Sequence, residues 1–474
     1  MKSIRIPEIL KKLNDIFVQN GFEAYLVGGA VRDILLSKKA SDWDITTNAK
    51  PEEIIKIFRK VIPTGIKHGT VTIHFMGKEI EATTYRSESD YTDGRHPDSV
   101  NFNATLEDDL SRRDFTMNAI AASLSDGSLK DPFDGQKDIK SKVIRTVGNA
   151  RDRFLEDGLR PIRAIRFSSQ LDFKIEPQTY DAIKLPEVQE RIKSISMERF
   201  RDEFEKILRS NEPSSAFHRM EETGILKEFI PELAECRGCS QADVRAFHEF
   251  DVLDHNLYAC DGAPKENEIV RLAALFHDVG KKQAKTVEKV EYPAGSGVFV
   301  EQVHFHKHEF YSSKITKEIL IRLKFPNAVI NQVTHLIEQH MFFFEEHWSD
   351  AAVRRFIVRV KPENIEDLFS LRIADIYGMH RQTVNPNNEG IQKIFSLRKR
   401  IEKINGRQSA LSLKDLAVNG NDLIKAGIPA GKRLGQILNE LFQCVLDDPE
   451  MNDKEKLLTV AKNVNSNLQL SSKD

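Results

Sequence analysis

The chain has 474 residues and a formal net charge of −2, and 30% of its residues are charged while 40% are hydrophobic. This balance is typical of a globular protein of roughly three domains and excludes a fully disordered chain. No apolar stretch approaches the roughly 18 residues of a membrane helix, so we expect no membrane partner. The 4 cysteines are too few for a disulfide framework, and the N-terminal segment lacks a secretory apolar region, so we expect a cytoplasmic protein.

The elements predicted along the chain divide it into a mixed head and a helical remainder. In the head, Val71–Phe75 and Glu79–Tyr85 alternate in polarity around Met76-Gly77-Lys78, which predicts a hairpin. From about Arg151 onward the apolar residues recur at helical spacing, interrupted by a Gly/Pro-rich loop or hairpin at 291–302. The sequence therefore predicts an α+β protein with a small head and mixed sheet at 1–150, followed by an all-α neck at 151–230, body at 231–390 and tail at 391–474.

The first candidate site is a strand-to-helix turn. The apolar strand Ala24–Val27 runs into Gly28-Gly29 and then into a predicted helix that carries Arg32. Paired glycines let backbone N–H groups approach a phosphate at a helix N-terminus, and the Arg32 guanidinium one turn on can reach the same phosphates. A tight turn without a ligand explains this pattern equally well, so a second signal is needed.

The second signal is a pair of carboxylates, Asp42 and Asp44, that follows Arg32. Two positions apart on a predicted strand, they are expected to point to one face. Carboxylates side by side repel one another unless a cation lies between them, and oxygen ligands together with substrate phosphates suit Mg²⁺. We therefore expect Asp42 and Asp44 to be catalytic metal ligands for phosphoryl transfer. Glu81 on the next hairpin is a candidate third carboxylate, although a surface glutamate is the stronger interpretation.

The segment 112–120 adds polar groups that fit a nucleotide. Arg113 is a phosphate donor, and Asp114 and Asn118 combine a carboxylate with an amide. Such a pair can bind a ribose 2′-hydroxyl and would select ribonucleotides. A capped helix with a salt bridge is the alternative.

Asp157 and Arg160, three residues apart on a predicted helix, combine an acceptor with a donor. The combination matches cytosine and adenine, in which an amino group stands beside a ring-nitrogen acceptor, and mismatches guanine and uracil. Glu156 is placed to orient the arginine, and Arg160, Arg163 and Arg166 repeat every three residues as a predicted phosphate-facing row. The alternative is an ion pair on a helix surface.

Six segments between residue 24 and about residue 230 stand in the order found in a known family. They are GGAVRD with DWD, DGRHPDSVNF (93–102), RRDFTMNAI (112–120), DPFDGQKDI (131–139), EDGLR (156–160) and ISMERFRDEFEKIL (195–208), with a weaker match at LAVNGNDLI (416–424). On these segments the chain resembles the class II tRNA nucleotidyltransferases (CCA-adding enzymes), which share their head with bacterial poly(A) polymerases. Two positions depart from the family. The family usually has an apolar residue at the position of Pro161, and Ala or Pro at the position of Gly158.

The resemblance implies a polymerase-β-like head and helical neck, body and tail that hold tRNA. It also implies that Asp157 and Arg160 select CTP and ATP for Mg²⁺-dependent, template-independent addition of C and A to the tRNA 3′ end. An A-adding enzyme or a poly(A) polymerase of the same family is the alternative. The segment 87–98 matches the flexible loop that the family associates with the switch from C to A, which argues against an enzyme that adds C alone. No obligate protein partner is evident.

The predicted body carries an ordered set of metal-ligating residues: His255, His277, Asp278, His308, His340 and Asp375. The HD-x-G-K signature after an apolar helix resembles the HD phosphohydrolase superfamily. That resemblance implies one or two divalent transition-metal ions at these residues and a secondary phosphohydrolase activity on 2′,3′-cyclic or 2′-phosphate ends. Cys236 and Cys239 have C-x-x-C spacing with no second pair, and we interpret them as structural.

Two interpretations from other functional classes stay open. One is a metal-dependent phosphohydrolase whose head only binds nucleotides, and the other is a non-catalytic RNA-binding protein. Asp42 and Asp44 count against both, because a binding domain does not need paired metal carboxylates. Residues 142–169 carry seven Lys/Arg against three Asp/Glu, and residues 393–407 carry six against one. These basic stretches are candidates for phosphate contacts or for solvated helix faces.

Overall fold

The structure is a computed structural model that describes residues 2–40, 42–89, 99–241, 249–292, 295–381, 385–406 and 410–470. It divides into two compact units, Met1–Ala234 with Arg322–Lys324, and Glu235–Ile321 with Phe325–Asp474. Within the described ranges, no helix combines the length and the apolar character needed to cross a membrane.

The first unit is organised around a mixed sheet. In its described residues the strands are β1 (Ala24–Val27), β2 (Asp44–Thr47), β3 (Val61–Gly65), β4 (Thr70–Phe75), β5 (Lys78–Thr84), β6 (Ser87–Ser89), β7 (Ser99–Asn101), β8 (Ala121–Ser123), β9 (Leu129–Lys130), β10 (Val143–Ile144) and β11 (Lys174–Ile175). The main sheet has the order β3-β4-β5-β2-β1-β8-β9, with β2 and β5 parallel and the other neighbours antiparallel. The predicted α+β fold with a mixed sheet is confirmed.

Helices flank this sheet and continue beyond it within the first unit. They are α1 (Glu8–Gln19), α2 (Gly29–Leu35), α3 (Pro51–Ile57), α4 (Leu106–Ser111), α5 (Gly135–Ser141), α6 (Ala150–Glu156), α7 (Leu159–Leu171), α8 (Pro177–Ile183), α9 (Pro186–Lys193), α10 (Met197–Leu208), α11 (Ser214–Glu222), α12 (Ile225–Phe229) and α13 (Pro231–Ala234). The amphipathic α1 buries Leu10, Leu13 and Phe17 completely. Burial of each such side chain contributes about 1.5–3 kcal/mol, which fixes α1 on the unit.

The helical backbone is interrupted between α6 and α7, next to the two positions at which the sequence departs from the family pattern. Asp157 is extended, with φ −146° and ψ 111°, and α7 begins at Leu159. A Cβ on Gly158 would lie 2.4 Å from the carbonyl oxygen of Arg191, so this position has no room for a side chain. Pro161 lies in the first turn of α7, where its missing N–H has no intrahelical bond to lose. Neither departure disturbs the helix start.

The second unit is mostly helical. Its described elements are α14 (Val252–Gly262), α15 (Glu268–Phe276), α16 (Lys281–Ala284), β12 (Lys285–Glu291), β13 (Phe299–Phe305), α17 (His308–Arg322), α18 (Asn327–Gln339), α19 (Asp350–Val360), α20 (Ile365–His380), α21 (Glu389–Asn405), α22 (Gly420–Lys425), α23 (Lys432–Asp447) and α24 (Lys454–Leu470). Helices α14, α15, α18 and α20 pack together. A separate apolar core joins α22, α23 and α24.

Both predicted hairpin regions form strands. Met76 and Gly77 turn β4 into β5 with φ of 47° and 76°, which confirms the first hairpin. The interruption at 291–302 belongs to the longer antiparallel ribbon of β12 and β13, so the body is helical with one ribbon rather than all-α. The boundaries at 150, 230 and 390 stay predictions. The loop at 87–98 and the motif at 93–102 lie largely outside the described residues.

Candidate functional site

The turn between β1 and α2 depends on Gly28. Its φ is +69°, and a Cβ there would lie 3.2 Å from Nη1 of Arg113 and 3.8 Å from Oδ2 of Asp44. Glycine is therefore required by the backbone conformation and by the close approach of Arg113. On α2, the buried Arg32 donates from Nη1 to Oδ1 of Asn118 at 3.0 Å and from Nε to Oδ1 of Asp33 at 2.9 Å. The turn thus brings together motifs that are about 90 residues apart.

Three carboxylates meet at the start of β2. Asp44 is its first residue and lies opposite Glu81 of the parallel strand β5. Asp42 precedes the strand, which corrects the expectation that both aspartates lie on one strand face. Partial burial raises the pKa of Asp44, Arg113 lowers it, and the charge of Asp42 raises it again.

Glu81 is a neighbour of Asp44 in the sheet. Partial burial raises the pKa of Glu81, the charge of Asp44 raises it further, and Arg86 lowers it. Glu81 lies opposite Asp44 through the long-range pairing of β2 with β5, but its side chain is exposed, so both interpretations of Glu81 stay predictions. The sequence signal for this pairing is the alternation of residues 79–85, which marks a strand able to pair with the one that carries Asp44.

Asp114 is the centre of a buried polar group. Its Oδ1 accepts from Nδ2 of Asn118 at 3.1 Å, and its Oδ2 accepts from Nε of Arg163 at 2.8 Å. Burial opposes ionisation, but Arg163 and the bond from Asn118 lower the pKa of Asp114 to about 2. The carboxylate and amide predicted to bind a ribose hydroxyl are therefore adjacent, and Asp114 is ionised.

Asp157 and Arg160 do not share a helix face, which corrects the sequence-based expectation. Asp157 lies in the break before α7, where its Oδ2 accepts from Nη2 of Arg199 at 2.8 Å. Arg160 donates from Nη1 to Oε2 of Glu156 at 2.5 Å and from Nη2 to the carbonyl of Arg112 at 3.0 Å. Glu156 does orient the arginine as the sequence suggested, whereas Arg199 was missed.

The predicted phosphate-facing row of Arg160, Arg163 and Arg166 is only partly realised. Arg163 pairs with Asp114 at 2.7 Å and Arg166 pairs with the buried Glu203. Both guanidinium groups, with that of Arg32, lie 3.8 to 5.4 Å from the ring centroid of Phe167. The side chain of Arg160 is instead held by Glu156 and two backbone carbonyls.

These motifs surround one cavity of about 560 Å³, which we call the head cavity. It is lined by Gly28, Gly29, Ala30, Arg32, Asp33, Ala40, Asp42, Asp44, Arg113, Asp114, Asn118, Arg163, Arg166, Phe167, Gln170 and Lys206. The lining includes the residues predicted from the sequence for catalysis and nucleotide binding, apart from Glu81, Glu156, Asp157 and Arg160. The cavity combines carboxylates, guanidinium groups and a glycine turn. This combination suits a nucleoside triphosphate with a bound metal ion.

The basic stretches are largely engaged with acidic partners. Each of the seven Lys and Arg residues in 142–169 lies within 4 Å of a carboxylate. In the second stretch, Lys393 pairs with Glu345, Arg398 with Glu366 and Arg400 with Asp350. Lys399 and Lys403 are exposed, and Arg407 lies outside the described residues.

The second unit brings six metal-ligating side chains together, and we call this group the histidine cluster. His255 comes from α14, His277 and Asp278 follow α15, His308 opens α17, His340 follows α18 and Asp375 lies on α20. All six residues are 0 to 6% exposed. Asp278 is shared by two groups of candidate ligands, one with His255 and His277 and the other with His308 and His340.

The two oxygens of Asp278 divide the cluster into halves. Oδ2 lies 3.3 Å from Nε2 of His255 and 3.4 Å from Nε2 of His277, whereas Oδ1 lies 3.0 Å from Nε2 of His308. The remaining carboxylate, Asp375, approaches His255 at 3.2 Å. The Nδ1 atoms of His277, His308 and His340 face backbone carbonyls at 2.7 to 2.9 Å, so their Nε2 atoms point inward.

Two cations flank the cluster. Nζ of Lys281 lies 2.6 Å from Oδ2 of Asp278, and Nη1 of Arg372 lies 2.6 Å from Oδ2 of Asp375. Burial opposes ionisation of Asp278, but His277 and Lys281 hold its pKa well below the usual range. Neither cation was singled out from the sequence, although Lys281 belongs to the HD-x-G-K signature.

Cys236 and Cys239 are buried near this loop. Sγ of Cys236 lies 3.9 Å from the carbonyl oxygen of Val279, and the backbone N–H of Cys239 donates to the carbonyl of Cys236. Burial raises the pKa of both thiols. This turn packs against the HD loop, which fits the structural interpretation of the pair.

Comparison with known proteins gives matches along much of the chain. Three family models match, described as Poly A polymerase head domain (residues 24–145), Probable RNA and SrmB- binding site of polymerase A (172–237) and tRNA nucleotidyltransferase domain 2 putative (310–461). Residues 238–309, which lie between the second and third matches, contain His255, His277, Asp278 and His308.

Whole-chain similarity points the same way. The chain is 34% identical over 470 residues to the CCA-adding enzyme of Lactobacillus gasseri, covering 96% of this chain and 97% of that protein. It is 34% identical over 445 residues to that of Geobacillus stearothermophilus, covering 93% and 92%. Its structure resembles that of the Bacillus stearothermophilus CCA-adding enzyme in complex with CTP, with a TM-score of 0.72, 28% identity and 98% coverage of both chains.

Proposed function

The chain belongs to the family of CCA-adding enzymes, and on this premise we propose a role for each group in its head cavity. The enzyme is a nucleotidyltransferase that adds C and A to the 3′ end of tRNA from CTP and ATP without a nucleic-acid template. The 3′-hydroxyl oxygen of the tRNA forms a bond to the α-phosphorus, and the bond to the β-phosphate breaks with release of pyrophosphate. The juxtaposition of Asp42, Asp44 and Arg113 around Gly28 carries this proposal.

Asp42 and Asp44 are the proposed catalytic metal ligands, and Glu81 is proposed to support them. The charge of Asp42 raises the pKa of Asp44, and the charge of Asp44 raises that of Glu81, so a divalent cation is the natural partner of their combined charge. An all-oxygen set of this kind fits Mg²⁺. When bound, Mg²⁺ would stabilise charge on the phosphoryl oxygens.

The other cavity residues are proposed to hold the nucleotide. Gly28 and Gly29 leave room for the phosphates at the start of α2, and Arg32 and Arg113 supply guanidinium donors. Asp114 and Asn118, which are already hydrogen-bonded to each other, are proposed to bind the ribose. Arg163 and Arg166 are proposed to contribute positive charge from the cavity wall.

Asp157 and Arg160 are proposed to select the base. Arg160 would donate to the ring nitrogen of cytosine or adenine, and Asp157 would accept from the exocyclic amine. Each residue now bonds to a protein partner, Asp157 to Arg199 and Arg160 to Glu156. The guanidinium group and the carboxylate retain further hydrogen-bonding capacity, so both can serve a base without losing these partners.

The test of this function uses two tRNA primers, one ending at the discriminator base and one ending in CC. CTP and ATP are supplied separately and together, and the products are resolved at single-nucleotide length. We expect CTP alone to add C to the first primer, ATP alone to add A to the second, and both together to complete CCA. Extension of the CC primer only would indicate an A-adding enzyme, and long A tails would indicate a poly(A) polymerase.

The tRNA is proposed to contact residues 172–237, which match the RNA-binding family model, and the tail at 391–474. The tail contains the exposed Lys399 and Lys403. We place the reaction in the cytoplasm because tRNA and nucleoside triphosphates are found there, and because the 4 free cysteines suit a reducing compartment.

A second function is proposed for the histidine cluster, which would bind divalent transition-metal ions. Four imidazoles and two carboxylates form a donor set that suits such metals, and Asp278 directs one oxygen to each half. Asp278 would be a ligand common to both halves of the cluster. When bound, the ions would supply Lewis-acid polarisation of a phosphoryl oxygen, and the activity proposed on that basis is phosphohydrolase activity on RNA ends. Metal analysis of the purified protein tests the site directly.

A further inference from the structure

One buried charge beside the head cavity has no direct part in the proposed chemistry. Asp109 on α4 is 0% exposed and does not line the cavity. Burial opposes its ionisation, but Arg112 and Arg113 lower the pKa of Asp109 below its usual value. A fully buried carboxylate is costly unless its partners are well placed, so its contacts indicate what it holds.

The first contact is to the strand that carries Asp44. The Thr46 hydroxyl, Oγ1, lies 3.1 Å from Oδ2 of Asp109 and also 3.1 Å from the carbonyl oxygen of Thr83 on β5, so the two acceptors share it. Thr46 is two residues after Asp44 on β2, so both side chains leave the strand on the same face. Asp109 therefore ties α4 to the face of β2 from which Asp44 projects.

The second contact is to Arg113, which reaches the cavity. Nη2 of Arg113 lies 3.6 Å from Oδ2 of Asp109, while Nη1 lies beside Gly28 and Asp44. Among the described residues, Nε of Arg113 is buried without a hydrogen-bond partner. The position of this guanidinium is thus set largely by the two carboxylates on either side of it.

The third contact leads to the proposed base-selecting arginine. Nε and Nη2 of Arg112 donate to Oδ1 of Asp109 at 3.0 and 2.7 Å. The backbone carbonyl of the same Arg112 accepts from Nη2 of Arg160 at 3.0 Å. A shift of Arg112 would move one of the few acceptors that orient Arg160.

We propose that Asp109 is a positioning residue that couples the phosphate-binding residues of the head cavity to Arg160, the proposed base-selecting residue beside it. Through Thr46 and Arg113 it fixes the surroundings of Asp44, and through Arg112 it fixes Arg160. Loss of the Asp109 charge should therefore lower the rate of addition and weaken the preference for C and A. The inference rests on the roles proposed above for Asp44 and Arg160.

The primary test is Asp109→Asn, assayed by single-turnover incorporation of all four ribonucleotides and by calorimetric titration of CTP in the absence of tRNA. Because Asp109→Asn weakens a buried charge-assisted hydrogen bond, we expect kcat/KM for CTP to fall about 10- to 100-fold. We also expect the preference for C and A over G and U to fall by about tenfold, and CTP to bind more weakly. Loss of folded protein alone would lower all four rates equally and leave the preference unchanged.

Asp138→Asn is the matched control. Asp138 is also a buried aspartate of the first unit, and its Oδ2 accepts from Thr116 at 2.7 Å and from Arg145 at 3.2 Å. It does not line the head cavity. We expect its variant to keep the wild-type nucleotide preference even if its stability falls.

Two milder variants keep the test decisive if Asp109→Asn does not fold. Thr46→Val removes one hydroxyl with little change of shape and should slow addition. Arg112→Gln keeps the backbone carbonyl but loses the bonds to Asp109, and it should mainly reduce the C and A preference. Wild-type rates and preference in both variants, or in folded Asp109→Asn, would overturn the proposal.

Asp44→Ala and Arg160→Ala, assayed in parallel, distinguish the positioning role of Asp109 from the catalytic and base-selecting roles on which it rests. Active Asp44→Ala protein, or Arg160→Ala protein with unchanged preference, would show that the roles assumed for these residues are wrong. If the Asp44 and Arg160 variants are impaired while the Asp109, Thr46 and Arg112 variants behave as wild type, only the positioning role of Asp109 is contradicted.

Discussion

The head cavity and the histidine cluster balance their charges in different ways. In the head cavity the arginines face carboxylates of the protein: Arg163 pairs with Asp114 and Arg166 with Glu203. Asp42 and Asp44, the proposed metal ligands, are exposed to solvent there, and Arg113 is the cation that acts on Asp44. In the histidine cluster the groups are all buried, and pairs of imidazoles face one another, Nε2 of His255 and His277 at 3.1 Å and those of His308 and His340 at 3.3 Å.

This difference indicates what each site needs from a metal ion. Water can solvate the exposed carboxylates of the head cavity, so its fold should persist without Mg²⁺ and only catalysis should depend on the ion. Two Nε2 atoms at this distance repel one another if both carry a lone pair or both carry a proton. The contact is favourable when one proton lies between them or when a cation binds both. We therefore expect the histidine cluster to gain stability from metal, and the predictions below test that contrast.

The largest expected effect is on catalysis in the head cavity. Asp44→Ala removes a proposed metal ligand and should lower the rate of nucleotide addition by about 10³-fold or more. Because Asp44 is exposed, the midpoint of thermal unfolding should stay at the wild-type value. Single-turnover assays with CTP and calorimetry on the same protein measure both quantities.

Asp15→Ala is the control for this change, since Asp15 is exposed on the helix α1 and lies outside the cavity. It should match the wild type in both measurements. Near-normal addition by Asp44→Ala would contradict the assignment of the carboxylates, and a large loss of stability would break the contrast with the histidine cluster.

The second effect is on stability in the second unit. Ligand at 100 to 1,000 times its Kd stabilises a folded protein by about 3–4 kcal/mol, so Mn²⁺ or Ni²⁺ should raise the unfolding midpoint of chelator-treated protein. His277→Ala should abolish this rise and the bound metal, and it should leave nucleotide addition largely intact. The measurements are elemental analysis and thermal unfolding with and without added ion.

His380→Ala is the control, because His380 lies on α20 with Asp375 but is half exposed and pairs with Glu249 outside the histidine cluster. It should keep the metal response. No stoichiometric metal in the wild type under any loading condition would show that the cluster is not a metal site.

A third and smaller effect concerns nucleotide choice. Guanine would set its N1–H against Arg160 and its O6 against Asp157, and each mispaired buried group costs about 1–3 kcal/mol. Asp157→Ala and Arg160→Ala should therefore slow CTP and ATP use and raise relative GTP or UTP use by about 10- to 100-fold. Single-turnover incorporation of the four ribonucleotides measures the ratio.

The control here is Arg151→Ala on α6, because the Arg151 side chain is half exposed and pairs with Glu187. Its preference should equal that of the wild type. Unchanged preference in both Asp157→Ala and Arg160→Ala would leave these residues with a structural role only.

Much of the fold and of the candidate sites was predictable because their signals are local. The hairpin of β4 and β5 follows from alternation around Met76-Gly77, and the ordered histidines and aspartates predicted the members of the histidine cluster. In each case the pattern lies within one element or one short motif. The mixed sheet of the head likewise follows the segments that resemble the family.

The errors arise where one residue depends on a distant one. The backbone is extended at Asp157, next to Gly158, which packs against the distant carbonyl of Arg191, so Asp157 does not share a helix face with Arg160. The position of Glu81 opposite Asp44 likewise depends on the long-range pairing of β2 with β5. Helical periodicity cannot reveal such contacts, because it reports only neighbours within a few turns.

The smallest expected effect lies in the tail, where the structure sharpens the choice of residues. Arg398 and Arg400 are ion-paired, so reversing their charge would also disturb Glu366 and Asp350. Lys399 and Lys403 are exposed on α21. The double variant Lys399→Glu with Lys403→Glu should weaken tRNA binding. It should also reduce the slope of the salt dependence of binding by about 1 for each phosphate that is no longer neutralised. Lys314→Glu with Lys317→Glu on α17 changes the net charge equally and is the control. Titrations of tRNA at several salt concentrations compare the two double variants. Equal slopes for both would show that α21 presents a solvated face, whereas a smaller slope for the α21 variant alone would assign it to tRNA.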